Sequence, residues 1–288
     1  MPELPEVETM RRGVEPAVGS RIVAVERMRC PRKPIAIAPG LASFRRRVEG
    51  ARIARTARAG KRVVLWLDRG DAIVFEPRMT GLLLLEEPPD PRYSRFRLRL
   101  SGRAVPHITY WDRRGLGNVR LYTASEFAER FSLDVLGPDA LDMTAKLYRQ
   151  RLGESKRAIK VALLDQRAVA GIGNLYASEI LHLARIHPER PCTRLTPRQW
   201  TALAAAALEV LEKAIRYEGS TLSDGTYRNA LNRAGGYQNE HRVYDKAGER
   251  CTRCGRGTIT RIVQAQRSTF YCPRCQVRAE NAGRKSKI

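Results

Sequence analysis

Four of the six cysteines are spaced so that together they could hold one metal ion. Cys251 and Cys254 form one C-x-x-C pair, and Cys272 and Cys275 form a second pair after seventeen intervening residues. Each pair can present two thiolates to the same ion, and four thiolates complete the tetrahedral shell that Zn²⁺ prefers. Redox-active pairs or disulfides are the alternatives, but no secretion signal favours them. The spacing therefore predicts one structural zinc ion.

The N-terminus carries a second possible reactive group. Removal of Met1, which is usual ahead of proline, would leave Pro2 with a free secondary amine. An α-amine has a pKa near ~8, so part of it is neutral at pH 7 and can attack an electrophilic carbon to form an iminium. Glu3 lies next in the chain and could transfer protons. The same residues also suit an ordinary helix entry, because proline and glutamate favour the first turn.

The charge of the chain predicts a polyanionic partner. Lys and Arg number 53 against 30 acidic residues, a net charge of +23, and the isoelectric point is about 10.5. Both halves are basic: residues 1–140 hold 26 basic and 17 acidic residues (net +9), and residues 141–288 hold 27 and 13 (net +14). Arginine suits phosphate through its bidentate fork. A generally basic surface remains the alternative, since an Arg-rich balance also arises in GC-rich genomes.

Composition and patterning exclude several other classes of protein. The hydrophobic fraction of 43% is that of a globular chain, and 288 residues are enough for two domains. The longest apolar stretches, around Leu82–Leu85 and Ala202–Leu208, are far shorter than the ~20 residues of a membrane span. The first residues lack the features of a signal peptide. We therefore expect a cytoplasmic protein, in which the lone Cys30 and Cys192 are buried, inert thiols.

The first half of the chain is predicted to be mostly strands. Residues 5–18 place apolar side chains at helical spacing, and a series of strand-like segments follows. These segments are Arg21–Met28, Ala51–Ala57, Arg62–Asp68, Ala72–Glu76, Gly81–Leu85, Arg95–Ser101, Ala104–Trp111 and Asn118–Tyr122. Their density and short turns favour a β-sandwich or barrel of ~120 residues. Leu136–Asp139 breaks the pattern and is our domain boundary.

The second half is predicted to be helical and to end in the cysteine-rich segment. The helical segments are Ala145–Leu152, Ala158–Asp165, Leu175–Ala184 and Pro197–Tyr217; a loop over 219–245 follows, and a basic tail begins at Ala279. We predict an α+β chain in three parts. An N-terminal helix and β-sandwich occupy 1–136, a helical domain occupies 137–245, and a zinc ribbon with its tail occupies 246–288.

The N-terminal residues Met1–Thr9 resemble the signature of the formamidopyrimidine-DNA glycosylases, and further matching blocks follow in family order. These blocks are Gly60–Lys61, Leu136–Pro138, Lys156–Lys160, Gly171–Glu179, Ile186–Pro188 and Gln264–Gln276. The resemblance spans nearly the whole chain, and its first and last blocks are highly specific. The N-terminus is similar to the formamidopyrimidine branch rather than to the endonuclease VIII branch, which usually begins Pro-Glu-Gly-Pro-Glu.

The resemblance implies a bacterial, monomeric, bifunctional glycosylase and lyase that acts on damaged double-stranded DNA and has no membrane partner. It implies that the helical domain contains a helix–two-turn–helix. It also implies that the substrates are oxidised purines such as formamidopyrimidine and 8-oxoguanine. Pro2 would attack the sugar C1′ and expel the base, and Glu3 would open the sugar ring as acid and base. The iminium would then drive β- and δ-elimination. Such chemistry requires the nucleotide to leave the base stack.

The resemblance also implies roles for residues elsewhere in the chain. Lys61 matches a catalytic-site lysine near the lesion, Asn174 matches a residue of the phosphate clamp, and Arg267 matches a zinc-ribbon arginine that grips the flanking phosphates. Taken alone, these residues could instead be a strand-edge charge, a helix cap and a surface arginine. Three more residues match family positions, and they could equally form structural ion pairs: Glu6, Lys160 and Glu179. Of these, Lys160 is among the expected DNA contacts.

Three segments depart from the family pattern. Family members fill the space left by the extruded base with a Met, an Arg and a Phe, which correspond here to Met79, Arg114 and Leu116. Leucine can push between base steps but cannot stack as an aromatic ring does. Simple core packing is the alternative for Met79 and Leu116. The approach to Met79 (Glu76–Arg78) also differs. The lesion-capping loop keeps a family-like start near Gly219–Asp224, but the following residues Gly225–Glu240 are divergent, so the preferred lesion and the opposite-base rule stay open.

Three other functions would share some of these sequence features. A non-catalytic sensor of damaged or gapped DNA would keep every DNA contact, and only Pro2 and Glu3 argue against it. A glycosylase that prefers oxidised pyrimidines would keep the chemistry and change the lesion. An RNA-associated zinc-ribbon protein would share the charge and the cysteines but not the other matching blocks.

Overall fold

The computed structural model of the protein describes residues 2–102 and 105–278. Within it the chain forms two compact units: Met1–Ser132 with Ala214–Gln238, and Leu133–Lys213 with Asn239–Ile288. Three parts of the sequence-based predictions lie outside the described residues, namely Met1, the start of the strand predicted from Ala104, and the basic tail from Ala279.

The first unit begins with a helix that is shorter than predicted. Helix α1 spans Leu4–Gly13, and the remainder of the predicted 5–18 segment is a 3₁₀ turn at Glu15–Ala17. Pro16 is the physical reason, because proline lacks the backbone N–H that the next helical hydrogen bond requires. Helix α1 is buried along most of its length, with Leu4, Val7 and Met10 fully inaccessible.

The first unit is a β-sandwich, as predicted. Its strands are β1 Ile22–Arg27, β2 Ala36–Ala38, β3 Ile53–Arg58, β4 Val63–Leu67, β5 Ala72–Glu76, β6 Gly81–Leu84, β7 Ser94–Leu100, β8 His107–Asp112 and β9 Asn118–Tyr122. One sheet has the order β1-β7-β8-β6, and the other has the order β2-β9-β5-β4-β3. The two sheets meet where Phe75 of β5 packs edge-on against Phe96 of β7, with ring centroids 6.0 Å apart. Both rings lie in one continuous apolar core.

Two helices of the first unit were absent from the sequence-based prediction. Helix α2 (Leu41–Val48) contains three consecutive arginines, yet Leu41, Phe44 and Val48 recur on one face, and Phe44 and Val48 are fully buried. That spacing is a helical signal. Helix α3 (Ala124–Arg130) begins with a capping box between Thr123 and Glu126, which is also a recognisable start signal.

The segment Ala214–Gln238 packs with the sandwich although it is distant in sequence. The backbone N–H of Leu85 donates to the carbonyl of Ala230 at 2.9 Å. A Cβ on Gly13 would lie 2.4 Å from the Cβ of Ala230, so only glycine allows this approach. Tyr227 is 5% exposed, and its hydroxyl donates to the carbonyl of Glu218 at 3.0 Å. Most of the divergent loop is therefore folded onto α1 and the end of β6.

The second unit is helical, with a small sheet near its C-terminal end. Its elements are α4 Ala145–Leu152, α5 Ile159–Leu163, α6 Asn174–Leu183, α7 Pro197–Arg216, β10 Thr260–Gln264 and β11 Arg267–Tyr271. Helix α5 is shorter than the predicted Ala158–Asp165 and is followed by two turns before α6. Across residues 2–102 and 105–278, no helix has both the length and the apolar character that a membrane crossing requires.

Candidate functional site

Pro2 and Glu3 lie at the N-terminal end of α1, and both are buried. Glu3 is the N-cap residue of this helix and forms a reciprocal capping box with Glu6. The backbone N–H of Glu3 donates to Oε2 of Glu6 at 2.9 Å, and its carbonyl accepts from the N–H of Val7. The segment that carries the proposed nucleophile is thus both capped and held in one conformation.

Glu6 also ties the N-terminus to Ser220, which precedes the divergent residues Gly225–Glu240. Its Oε1 accepts the backbone N–H of Ser220 at 2.8 Å, while Oε2 holds Glu3. Gly219 adopts a φ of +77°, and a Cβ there would lie 2.8 Å from Oε1 of Glu6. The sequence left the role of Glu6 open between a family position and an ion pair; in the structure its carboxylate binds two backbone amides.

Lys61 occupies a tight turn between β3 and β4. The N–H of Ala59 donates to the carbonyl of Arg62, and the reverse bond closes the turn at 3.1 Å. Gly60 adopts a φ of +55°, the left-handed conformation that such turns use. The Lys61 side chain is half-buried. It therefore lies at a hairpin tip in the same unit as Pro2 and Glu3.

Met79, Arg114 and Leu116 are all exposed. The exposed fractions of Met79 and Leu116 are 37% and 49%, which excludes the core-packing alternative for these two side chains. The turn that carries Met79 meets the Asp112–Gly117 loop, because Thr80 hydrogen-bonds the fully buried carboxylate of Asp112. The Thr80 hydroxyl also accepts the N–H of Arg114 at 3.0 Å. One buried carboxylate thus links the segments that present all three side chains.

Lys160, Asn174 and Arg267 lie in the second unit, where a single carbonyl joins two of them. Lys160 is fully buried, and its Nζ donates to Oδ1 of Asn174 and, at 3.3 Å, to the carbonyl of Ser268. Nδ2 of Asn174 donates to the same carbonyl at 3.0 Å. Asn174 is the first residue of α6, and Gly173 is the N-cap, so Asn174 is not the helix cap. Arg267 precedes Ser268 and is exposed.

The four predicted metal ligands come together in the second unit. Their sulfur atoms all lie within 4.8 Å of one another, with Cys251 to Cys275 at 3.9 Å and Cys254 to Cys272 at 3.8 Å. A tetrahedral shell with Zn–S bonds of about 2.3 Å places sulfurs about 3.8 Å apart. Backbone N–H groups that donate to the Cys254 sulfur lower its pKa, whereas burial raises the pKa of Cys272 and of Cys275, so it is the spacing of the four sulfurs that identifies the site. The site therefore fits one structural zinc ion.

Residues of the ribbon hold the C-terminal end of α6. Nη1 of Arg253 donates to the carbonyls of His182 and Leu183 at 2.9 and 2.8 Å, which satisfies two of the acceptors that a helix end leaves open. Nε2 of Gln276 donates to the carbonyl of Ile186 at 2.9 Å. Nε2 of the buried His182 lies 3.5 Å from the sulfur of Cys251. Metal site and helix are thus joined by direct contacts.

Glu179 is a structural carboxylate that the sequence could not separate from an ion-pair residue. It is fully buried on α6 and accepts the backbone N–H groups of Arg242, Val243 and Tyr244 at 2.8–2.9 Å. Burial raises the pKa of the Glu179 carboxyl, and these three donors oppose that shift. Glu179 therefore fixes the segment that leads into the zinc ribbon.

A buried histidine gives the second unit a predicted pH dependence. Burial, with a contribution from Lys246, lowers the pKa of His241 to about 4. In the unfolded chain His241 binds a proton near pH 6.5, whereas in the folded protein it does so only near pH 4. The free energy of unfolding therefore decreases as the pH falls from 6.5 towards 4. Between pH 7 and 5, we expect His241 to cost about 2 kcal/mol of unfolding free energy.

Urea unfolding of the wild type and of His241→Phe at the two pH values measures this contribution. The wild type should lose more stability than the variant over this interval. Equal losses would show that His241 is not held neutral in the folded protein.

Comparisons with known proteins match three successive segments of the chain. The sequence models of three families match: the formamidopyrimidine-DNA glycosylase N-terminal domain over 1–119, the formamidopyrimidine-DNA glycosylase H2TH domain over 136–226, and the zinc finger found in FPG and IleRS over 248–277. The formamidopyrimidine-DNA glycosylase of Chloroflexus aurantiacus is 40% identical, and that of Caulobacter vibrioides is 37% identical. Each alignment covers 96% of this chain and at least 98% of the relative.

Solved structures agree with the sequence comparisons. The MutM (Fpg) protein from Thermus thermophilus superposes with a TM-score of 0.82 at 37% identity, covering 96% of this chain and 98% of that one. Fpg from Lactococcus lactis superposes with a TM-score of 0.84 at 32% identity in a complex with DNA containing an abasic site. A mutant of the same Lactococcus lactis protein, in complex with DNA containing Fapy-dG, has a TM-score of 0.84 at 34% identity. Both alignments cover 96% of this chain and 100% of that one.

Proposed function

Because this chain belongs to the formamidopyrimidine-DNA glycosylase family, we propose that it removes oxidised purines from duplex DNA and then cuts the abasic strand through a Pro2 iminium. Members of the family are DNA glycosylases, so the chain is an enzyme of base-excision repair. The relative crystallised with abasic-site and Fapy-dG DNA supports damaged duplex as the substrate.

The observation that carries this proposal is the position of Pro2 and Glu3 at the buried N-terminal end of α1. A helix N-terminus bears a partial positive charge, which disfavours a protonated amine beside it. Once Met1 is removed, the amine of Pro2 would therefore be biased towards its neutral, nucleophilic form. Glu3 is the next residue in the chain and is 4% exposed, so its carboxyl group lies in an environment that excludes most water.

The proposed reaction uses these two residues in sequence. The Pro2 nitrogen bonds to C1′ as the bond from C1′ to the base breaks, and the base leaves with a proton. Glu3 transfers a proton to the ring oxygen, which opens the sugar and leaves an iminium. Loss of the C2′ proton expels the 3′ phosphate, and a second elimination expels the 5′ phosphate. Because the iminium accepts the electrons released in each step, no redox cofactor is needed.

The second unit supplies the proposed grip on the phosphate backbone. Lys160 and Asn174 are held together on one carbonyl, and Arg267 is exposed beside it. The exposed Arg267 suits phosphate oxygens, which provide most of the affinity in protein–DNA complexes, and the buried Lys160 would support it by holding the neighbouring Ser268 carbonyl. The zinc ion would contribute by holding the ribbon in shape, since all four of its positions are filled by sulfur.

A lesion panel tests the proposed activity. Labelled duplexes that carry 8-oxoguanine, formamidopyrimidine or an oxidised pyrimidine are incubated with the protein, and the products are separated on denaturing gels. We expect faster incision at the purine lesions, with phosphate left on both new ends. Faster incision at the pyrimidine would move the substrate class to oxidised pyrimidines. Tight binding without incision would favour a non-catalytic sensor of damaged DNA.

A further inference from the structure

Arg95 is a buried cation with an unusual set of partners. It lies on β7 and is 2% exposed. Its Nε donates to the carbonyl of Asp112 at 2.7 Å, and Nη1 donates to that of Lys33 at 3.0 Å. The carbonyls of Arg32 and Arg113 lie at 3.5 Å from its terminal nitrogens. Over the described ranges, no carboxylate lies within ion-pair distance of Arg95, so backbone carbonyls alone solvate this charge.

A buried charge without a counterion is costly, so its carbonyl partners must be held in place to compensate it. The partners come from two segments that are far apart in sequence, residues 32–33 and residues 112–113. The guanidinium is planar and carries five donors in a fixed geometry. It can therefore fix the spacing and orientation of both segments at once.

The loop after Asp112 is held from its other side as well. The Asp112 carboxylate accepts the N–H of Arg114 at 3.2 Å and the N–H of Gly117 at 2.8 Å. Gly115, between them, adopts a φ of +68°, and a Cβ there would lie 3.0 Å from the carbonyl of Lys33 and 3.1 Å from Nη2 of Arg95. The Asp112–Gly117 loop thus lies directly against the guanidinium, and a side chain at Gly115 would have to displace one of them by a few tenths of an ångström.

Arg114 and Leu116 project from this loop into solvent, and Leu116 is 49% exposed. Firm fixation of a loop that presents an exposed leucine and an exposed arginine is unusual, because surface loops without a binding role are mostly mobile. We propose that Arg95 is a positioning residue that sets where Arg114 and Leu116 enter duplex DNA. This inference rests on the proposed function, since it assigns Arg95 to the recognition step that precedes the chemistry at Pro2.

The role proposed for Arg95 concerns recognition of a duplex and not the chemistry at Pro2, and two substrates distinguish these steps. In a single-stranded abasic oligonucleotide there is no opposite base and no stack for Arg114 and Leu116 to enter. Borohydride trapping on that oligonucleotide therefore reports Pro2 alone, whereas excision from a lesion-bearing duplex requires both. A loss of positioning should appear in duplex excision and leave single-strand trapping intact.

The test compares Arg95→Met with Arg99→Met. Arg99 lies on the same strand, but its side chain is 59% exposed. For Arg95→Met we expect kcat/KM on the lesion duplex to fall roughly 10- to 100-fold, because misplacement of a contact by about 1 Å has effects of this size. The ratio of excision rates opposite cytosine and adenine should also change. Arg99→Met should match the wild type in every assay.

Two further variants keep the test independent of folding. Arg95→Lys retains the charge but cannot reach four carbonyls. Compared with Arg95→Met, it should therefore recover more of the thermal stability than of the rate of duplex excision. Gly115→Ala leaves Arg95 intact and pushes the loop away from it, so it should reproduce the selective loss in the duplex assay.

Unchanged duplex excision by folded Arg95→Met would overturn the proposal, as would a parallel loss of single-strand trapping. Absence of trapping by the wild-type protein would instead overturn the proposed function, and with it the role of Arg95.

Discussion

Blocking the α-amine of residue 2 is expected to abolish the covalent adduct that borohydride traps between the protein and abasic-site DNA. A form that retains Met1 has no secondary amine at Pro2, so it cannot form the iminium. We expect the rate of strand cleavage to fall on the order of 1,000-fold or more, which is the usual effect of removing a nucleophile. Mass spectrometry of the purified protein establishes the N-terminus, and a labelled abasic duplex with borohydride measures the adduct.

Pro16→Ala is the matched control, because Pro16 is an exposed proline just beyond α1 and should not affect the adduct. Binding to the same duplex should persist in the Met1-retaining form, since the basic surface is unchanged. An adduct of undiminished yield from that form would show that a lysine, and not Pro2, is the nucleophile. Peptide mapping of the adduct identifies the residue directly.

Loss of the zinc ion is expected to unfold the zinc ribbon and to weaken DNA binding. Cys272→Ala removes one of the four sulfurs, and Cys272 is fully buried. Structural zinc sites of this kind contribute folding free energy on the order of 10 kcal/mol in isolated fingers. The β10–β11 hairpin carries Arg267 and the Ser268 carbonyl that Lys160 and Asn174 share. Losing the charge-assisted contact of Arg267 to phosphate would raise Kd roughly 10- to 100-fold.

Zinc content by atomic absorption and Kd by fluorescence anisotropy measure the two effects together. Cys192→Ala is the control, because Cys192 is a buried thiol of the same unit whose pKa burial raises to about 11. It should keep both the metal and the affinity. Full DNA affinity in zinc-free Cys272→Ala would show that the ribbon does not contribute to the phosphate contacts.

The sequence was sufficient for the strands of the sandwich other than the short β2, because their signals are local. Alternating strands such as β7 and the helical spacing of α4 can be read from a few neighbouring residues. The cysteine spacing predicted the metal site for the same reason, and the sulfur geometry confirms that the four side chains meet. Helices α2 and α3 were missed although their apolar spacing and capping box were present in the sequence. Consecutive arginines in α2 hid the first of these signals.

The contacts that the sequence could not predict join residues far apart in the chain. Nothing near Glu179 indicates that it would bind three amides more than sixty residues away. Likewise, an arginine at the start of an alternating strand is expected to be exposed, whereas Arg95 is buried beneath a loop. Such contacts depend on tertiary packing, and no local pattern encodes them. The catalytic and DNA-contact residues themselves came from the resemblance to a family and stay predictions.

The bridge that Glu6 makes between Glu3 and Ser220 divides the loop after α7 into an anchored part and a replaceable part. Gly219 and Ser220 are fixed by their fit to Glu6, whereas the divergence from the family begins only after that contact. Exchange of residues beyond Ser220 would therefore leave the Glu6 contact in place, but the loop would still have to keep the close packing of Ala230 against Gly13 of α1. A graft that transplants lesion preferences between relatives would therefore start after Ser220 and retain a small residue at position 230.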